Sequence, residues 1–239
     1  MSDPALAVPI TLALGPGLIA LAAMSRKSLD LWINALLGGA GWFVALLTRL
    51  PLLMLARGLE IYARALYASL MAGLFEETAR YFVVKSRSRL INNLRSSASI
   101  GLGWGLTEAL ITYALQVPFA AAMINHDWTA FIPGALERNI AIAFHLAMTL
   151  LISLTVIGRP LTVLLPTTAS LHFLLNAMAT FIATRTEDPW IIEGSLALIV
   201  LAIVIPVYAY TRRLLPPMSS QKSISKASSD NIEVEVKRV

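Results

Sequence analysis

The chain has 239 residues, 57% of them hydrophobic and 14% charged, with a formal net charge of +5 and a mean hydropathy of +0.71. Soluble domains carry about 25% charged residues, so an ordinary water-soluble globule, a disordered chain and a collagen-like fibre are excluded. A nucleic-acid partner is excluded too: the pI is near 9.7, but much of the positive charge gathers in short loops and the tail, where it reads as a topology signal.

Seven apolar segments, 5–24, 29–48, 61–84, 98–124, 136–157, 161–183 and 191–211, predict an all-α fold. It is a polytopic membrane helix bundle of about seven transmembrane helices with a polar cavity inside the bilayer. Each segment is long enough to cross a hydrocarbon core of about 30 Å. The first begins MSDPALAVP, carries Asp3 and has no basic leader, so it does not read as a signal peptide. Arg57, Glu60 and Arg64 crowd the start of the third, and part of 50–64 is expected to lie along the interface. In the fourth, GLGWG lacks the strand–turn–helix setting of a dinucleotide site, whereas Gly101 and Gly105 suit close helix packing in lipid.

Alternate loops divide the charge. One side receives Arg26 and Lys27, then Lys85, Arg87, Arg89 and Arg95, then Arg159, then a tail with Arg212, Arg213, Lys222, Lys226, Lys237 and Arg238. The other receives Arg49, Arg57 and Arg185 with Asp127, Glu187 and Asp188. The positive-inside rule then puts the N-terminus outside and the C-terminus in the cytoplasm of an integral, multi-pass protein. Residues 1–213 form the membrane-embedded domain, and 214–239, polar and rich in serine, form a disordered tail whose basic residues suit anionic headgroups. The lipid bilayer is thus the first partner.

The chain has no cysteine, so disulfides and thiolate chemistry are absent, and any metal must be held by carboxylates or by His126, His145 and His172. Charge inside a span costs roughly 2.5–3.5 kcal/mol at a helix centre and therefore wants a partner or a purpose. Four places qualify. In FEETAR, Glu76 and Arg80 are four apart and Glu77 and Arg80 three apart, so one arginine can hold one glutamate and leave the other free. An interfacial salt-bridge cluster is the structural reading of the same residues. Glu108 has no basic neighbour within a turn, so its partner must come from another helix, Arg80 or a histidine being the candidates. Glu137, Ala141 and His145 follow one another at four-residue steps, with Arg138 beside Glu137, and that pair also suits an interface. His172 and Asn176 share a helix face in the sixth segment.

Glutamate, two histidines and an asparagine suffice for a general base facing a carbonyl with polar support. They also suffice for a small metal site, with His145, His172 and Glu76 as candidate ligands. There is no HExxH or GxSxG motif and no aspartate in mid-span, which excludes zincin-type, α/β-hydrolase-type and aspartyl intramembrane sites. Ser153 and Ser170 have nothing that activates them as nucleophiles.

AGLFEETARY, GLGWGLTEAL, ALERNIAIAFHLAM and LHFLLNA, in this order and spacing over about residues 70–180, resemble the YhfC family of intramembrane peptidases. That family is similar to the wider CAAX- and bacteriocin-processing (CPBP) group, which includes the Ras-converting prenyl-protein endopeptidase, and to the PrsW proteases. The resemblance implies an intramembrane endopeptidase acting on a membrane-associated peptide or protein. Glu76 or Glu77 would activate water, Arg80 would orient the glutamates, and His145, His172 and Asn176 would bind water or stabilise the oxyanion. Glu108, Glu137 and Arg138 would support them. Members are described both as metalloproteases and as metal-independent glutamate proteases, so the implied cofactor is either none or a divalent metal such as zinc. Three departures stand out: EExxR instead of EExxxR, Ala141 where an aromatic usually precedes the histidine, and Trp104 where a histidine often stands.

Two other readings use the same buried residues. A proton-coupled transporter would use them as a relay, although it would more naturally show inverted repeats and broken helices. A non-catalytic membrane partner or immunity-type protein would keep the fold alone. The glutamate–arginine cluster is expected in the cytoplasmic half, with substrate access from that side.

Overall fold

The computed structural model describes residues 4–91, 93–124 and 127–215, so His126 and the expected tail from 216 onward lie outside the described residues. Every regular element among the described residues is helical: α1 (Ala7–Ser25), α2 (Leu29–Leu55), α3 (Ile61–Ser86), α4 (Leu94–Ala109), α5 (Val117–Ile124), α6 (Ile132–Ser153), α7 (Leu161–Ala183) and α8 (Pro189–Leu214). Short 3-10 turns join several of them, and a π-helical turn, Leu110–Ala114, follows α4. The fourth segment is therefore broken instead of continuous, and the second runs on to Leu55, so residues 50–55 belong to a span and not to an interfacial stretch.

Local sequence explains several of the starts. Glu60 accepts from the Tyr62 amide at α3, Asn93 from the Ser96 amide at α4, and Asp188 from the Trp190 amide at α8, where Pro189 takes the first turn. Each side chain satisfies an amide that the helix itself leaves without an acceptor.

Six stretches among the described residues are long and apolar enough to cross a bilayer, and α3 is not one of them. Its 26 residues rise about 39 Å, so length is sufficient. Arg64, Glu76, Glu77, Arg80 and Lys85 take it out of the apolar class, and the bundle answers by enclosing three of those charges. Outward-facing apolar side chains such as Ile19, Leu36 and Leu198, each about 70% exposed (71%, 72% and 71%), suit contact with lipid tails. The chain is an integral multi-pass membrane protein built as a helical bundle.

Helices α4 and α6 form the centre. α2 and α6 flank α4, α1 closes over α4 and α6, α3 lies between α2 and α7, and α8 covers α6. The glycine-rich turn of α4 makes this approach feasible on both faces. A Cβ on Gly103 would sit 1.9 Å from the Ala35 carbonyl oxygen of α2, and one on Gly38 would sit 2.1 Å from that of Ile100. On the other face, Cβ atoms on Gly101 and Gly105 would meet the Leu146 and Ile142 Cα atoms of α6 at 2.8 Å.

The two ends of the bundle differ. At the end carrying the basic loops, Arg87 donates to Asn34 Oδ1 (2.9 Å) and to Asp30 (3.5 Å). Beneath it Val84, Ile91, Ile100, Ile152, Leu154 and Leu215 pack into one apolar cluster. At the far end, the Tyr113 hydroxyl donates to the Phe131 carbonyl and Asn139 Nδ2 donates to the Leu12 carbonyl at 2.9 Å.

Candidate functional site

The charged residues of five helices meet in the middle of the bundle. Arg80 on α3 is fully enclosed, and all five of its N–H groups have acceptors. Nε and Nη2 hold Glu77 Oε2 and Oε1 at 2.9 and 3.2 Å. Nη1 reaches Thr149 Oγ1 (2.7 Å) and the His145 carbonyl (3.3 Å), and Nη2 also meets His145 Nδ1 at 3.0 Å. The guanidinium lies 4.1 Å from the centroid of the Trp104 ring, a cation–π contact on its open face.

Helix geometry sends the adjacent glutamates to different partners. Glu77, fully buried, takes Arg80 and faces His172 Nδ1 at 2.8 Å. Glu76 turns toward α2, where Arg49 Nη1 donates to Oε1 at 2.5 Å, and toward α4, where Trp104 Nε1 donates to Oε2 at 3.2 Å. His172 Nε2 stands 3.9 Å from Glu76 Oε2. Neither carboxylate is free in the sense expected from spacing: Glu76 is held by Arg49, a residue that the hydropathy pattern assigns to a loop and that lies within α2.

Glu108 finds both an imidazole and an arginine. Its Oε2 is 2.5 Å from His145 Nε2 and its Oε1 accepts from Arg138 Nη1 at 3.2 Å. Arg138 pairs closely with Glu137 as well and donates to Thr112 Oγ1 at 3.0 Å. The π turn begins two residues after Glu108, and Glu108 and Thr112 both reach the same arginine. Single π turns recur at functional sites for this kind of re-aiming.

A cavity of about 130 Å³ is lined by Arg49, Glu76, Glu108, Glu137, Arg138, His145, His172 and Asn176, with an apolar wall from α6, α7 and α8. Asn176 is half-buried, and its carboxamide has no protein partner among the described residues. The Phe144 ring stands edge-on to both imidazoles, at 5.9 Å from His145 and 5.5 Å from His172. Glu77 and Arg80 do not line the cavity; they sit behind it. Towards the far end the lining continues through Ala179 and Leu196, while the apolar cluster closes the basic-loop end. The lining thus extends toward the end opposite the basic loops, and an apolar cluster lies beneath those loops.

Three site residues escaped the sequence reading. Arg49 and Trp104 bind Glu76, and Thr149 binds Arg80. Arg49 carried a signal, an intramembrane charge, hidden because α2 runs about two turns further than its apolar run suggests. Trp104, read as the loss of a histidine, supplies a donor and a ring instead.

The model of the YhfC intramembrane metalloprotease family matches residues 18–129. The likeness to YhfC is supported. The YhfC match contains Arg49, Glu76, Glu77, Arg80, Trp104 and Glu108, and it ends before Glu137, Arg138, His145, His172 and Asn176. Among curated proteins none matches the chain.

The YhfC family name implies a metal. Glu76, Glu108 and His145 each offer one ligand atom, all within 4.8 Å of one another. One imidazole and two carboxylates make a donor set that zinc accepts, with room for water. By residue type and proximity the set fits a divalent ion. His172, expected among the ligands, stands beside this trio on the Glu76 side.

Proposed function

We propose that this protein is an intramembrane endopeptidase that hydrolyses a peptide bond of a membrane-associated protein or peptide by a glutamate-activated water. The observation that supports it best is the convergence of Glu76, His172 and Asn176 on one cavity in the middle of a helical bundle. Glu76 is the carboxylate for the task, since Glu77 is walled off by Arg80 and His172. Each carboxylate oxygen has two acceptor sites, so Glu76 keeps capacity for a water beside Arg49 and Trp104.

In this reading Glu76 takes a proton from water as its oxygen attacks the peptide carbonyl carbon. The oxyanion accepts from Asn176 Nδ2, a contact of a kind worth about 3–4 kcal/mol. The C–N bond breaks as the proton held by Glu76 passes to the leaving nitrogen, leaving a carboxylic acid and an amine. A divalent ion held by Glu76, Glu108 and His145 would polarise the carbonyl or the water. The bundle's apolar wall excludes competing water.

The test is cleavage of a quenched peptide library by the purified protein, with and without chelator. Glu76→Gln, His172→Ala and Asn176→Ala should each abolish or cut cleavage while the protein stays folded. A folded wild type that cleaves nothing, or a Glu76→Gln variant with full activity, would overturn the reading. Cleavage surviving chelator indicates a metal-independent glutamate enzyme; loss restored by zinc indicates a metalloprotease.

Topology belongs to the same proposal. With the N-terminus outside and the basic loops in the cytoplasm, the cavity opens toward the outer face. Ala179→Cys in this cysteine-free chain should react with an impermeant thiol reagent added outside, and reaction from the cytoplasmic side only would reverse the orientation.

A further inference from the structure

The last apolar segment holds a charge that the site described above does not use. Glu193 is the one acidic residue of α8, three residues before Leu196 and seven before Val200. These positions share a helix face. It is the face that α8 turns to the cavity, because Leu196 and Val200 are buried and line it. Glu193 therefore continues that wall by one turn toward the end opposite the basic loops. Neither of its carboxylate oxygens has a hydrogen-bond donor among the described residues, and Oε2 is buried as well. The charged groups that face it are Glu137 and Arg138 of α6. Arg138 is already committed: Nε and Nη2 hold Glu137, while Nη1 holds Glu108 and Thr112. Glu76, Glu77, Glu108 and Glu137 each have an arginine; Glu193 does not. It lies past the first turn of α8, where the helix dipole gives little support. A buried carboxylate oxygen without a donor has lost its hydration uncompensated, and a like charge nearby adds to the cost. A cation set between Glu193 and Glu137 would offset both.

We infer that Glu193 is a specificity-determining residue that, beside Glu137, binds a cationic group of the ligand that enters the cavity. The ligand class is an apolar peptide carrying a basic side chain or a free amino terminus. Selection among substrates rests on the peptidase reading above; the cation site itself does not. The apolar wall of α6, α7 and α8 takes the rest of such a peptide. Arg138 holds Glu137 in place, and Glu193, lacking any such partner, is the carboxylate that remains for the ligand.

The experiment is equilibrium binding of fluorescent apolar peptides to the full chain in phosphatidylcholine nanodiscs, which carry no net lipid charge, with chelator present. One N-acetylated series carries a lysine moved along the peptide; its control has norleucine at the same place. A third peptide has norleucine and a free amino terminus. At one lysine position, or with the free terminus, binding should be about tenfold tighter than for the acetylated norleucine control, as a hydrogen bond between charged groups implies. The lysine and amino-terminus arms tell the two sources of the cation apart. Glu193→Gln should erase the preference, and Glu193→Lys should transfer it to a peptide with glutamate at that position. Without peptide, Glu193→Gln should leave the thermal midpoint unchanged or raise it, because the carboxylate has no partner to lose. Equal binding of all peptides by the wild type, a preference that survives Glu193→Gln, or a lowered midpoint in that variant would each overturn the inference. A preference in a protein that cleaves none of these peptides would sink the peptidase reading and leave the cation site standing; cleavage without any preference would do the reverse.

Discussion

The two halves of the bundle are built by different physics. Beneath the basic loops, Ile100, Ile152, Leu154 and Leu215 fill the space between helices with apolar volume. Towards the other end the same helices hold Glu76, Glu77, Glu108 and Glu137 against Arg49, Arg80 and Arg138 around a cavity. The apolar half depends on packing, in which each lost methyl group is felt. The polar half depends on pairing, in which a lost partner strands a charge in low dielectric. Function is to be sought where the bundle forgoes packing and accepts this cost.

Breaking the pairing should have the largest effect. Arg80→Ala takes from buried Glu77 its arginine and leaves His172 alone beside it, and removal of one partner of a buried pair costs about 3–5 kcal/mol. Loss of the folded protein in detergent, read by thermal unfolding, is the expected result; an unchanged midpoint would mean that water reaches Glu77. In the apolar half, Leu154→Ala should cost about 2–5 kcal/mol without altering the relative cleavage of different peptides by the protein that remains folded. A change in peptide preference would show that the plug and the cavity are coupled.

At the centre, Gly103→Ala places a methyl group on the Ala35 carbonyl and should destabilise by about 1–3 kcal/mol. Both atoms in conflict are backbone or Cβ, so the helices must separate; a neutral result would contradict the close α2–α4 approach. The smallest stability change, within about 0.5 kcal/mol, belongs to Asn176→Ala, because its carboxamide has no protein partner among the described residues. The same substitution should lower kcat by about 10²–10³-fold. This opposite pattern, stable but slow, separates a residue kept for substrate from one kept for the fold.

Much of this was legible in the chain. Six of the helical stretches are long and apolar enough to cross a membrane, α3 packs between α2 and α7, and α7 spans the predicted 161–183. FEETAR, Glu108, Glu137-Arg138, His145, His172 and Asn176 all reach one site, because charge in a span is rare enough to be informative. Arg49 was lost because hydropathy marks where apolar residues stop, not where the helix stops. Trp104 was misjudged because a tryptophan in a buried helix reads as packing until its N–H is seen to face a carboxylate.

The sequence by itself determined the class of protein and the residue types of the candidate site, since these follow from hydropathy, helical period and the cost of intramembrane charge. Pairing was decided by the tertiary structure: Arg80 with Glu77, Arg49 with Glu76, and Glu108 with His145. So was the apolar cluster beneath the basic loops. Spacing along one helix orders neighbours three and four apart, whereas partners on different helices are chosen by how closely those helices approach, here set by glycines facing backbone.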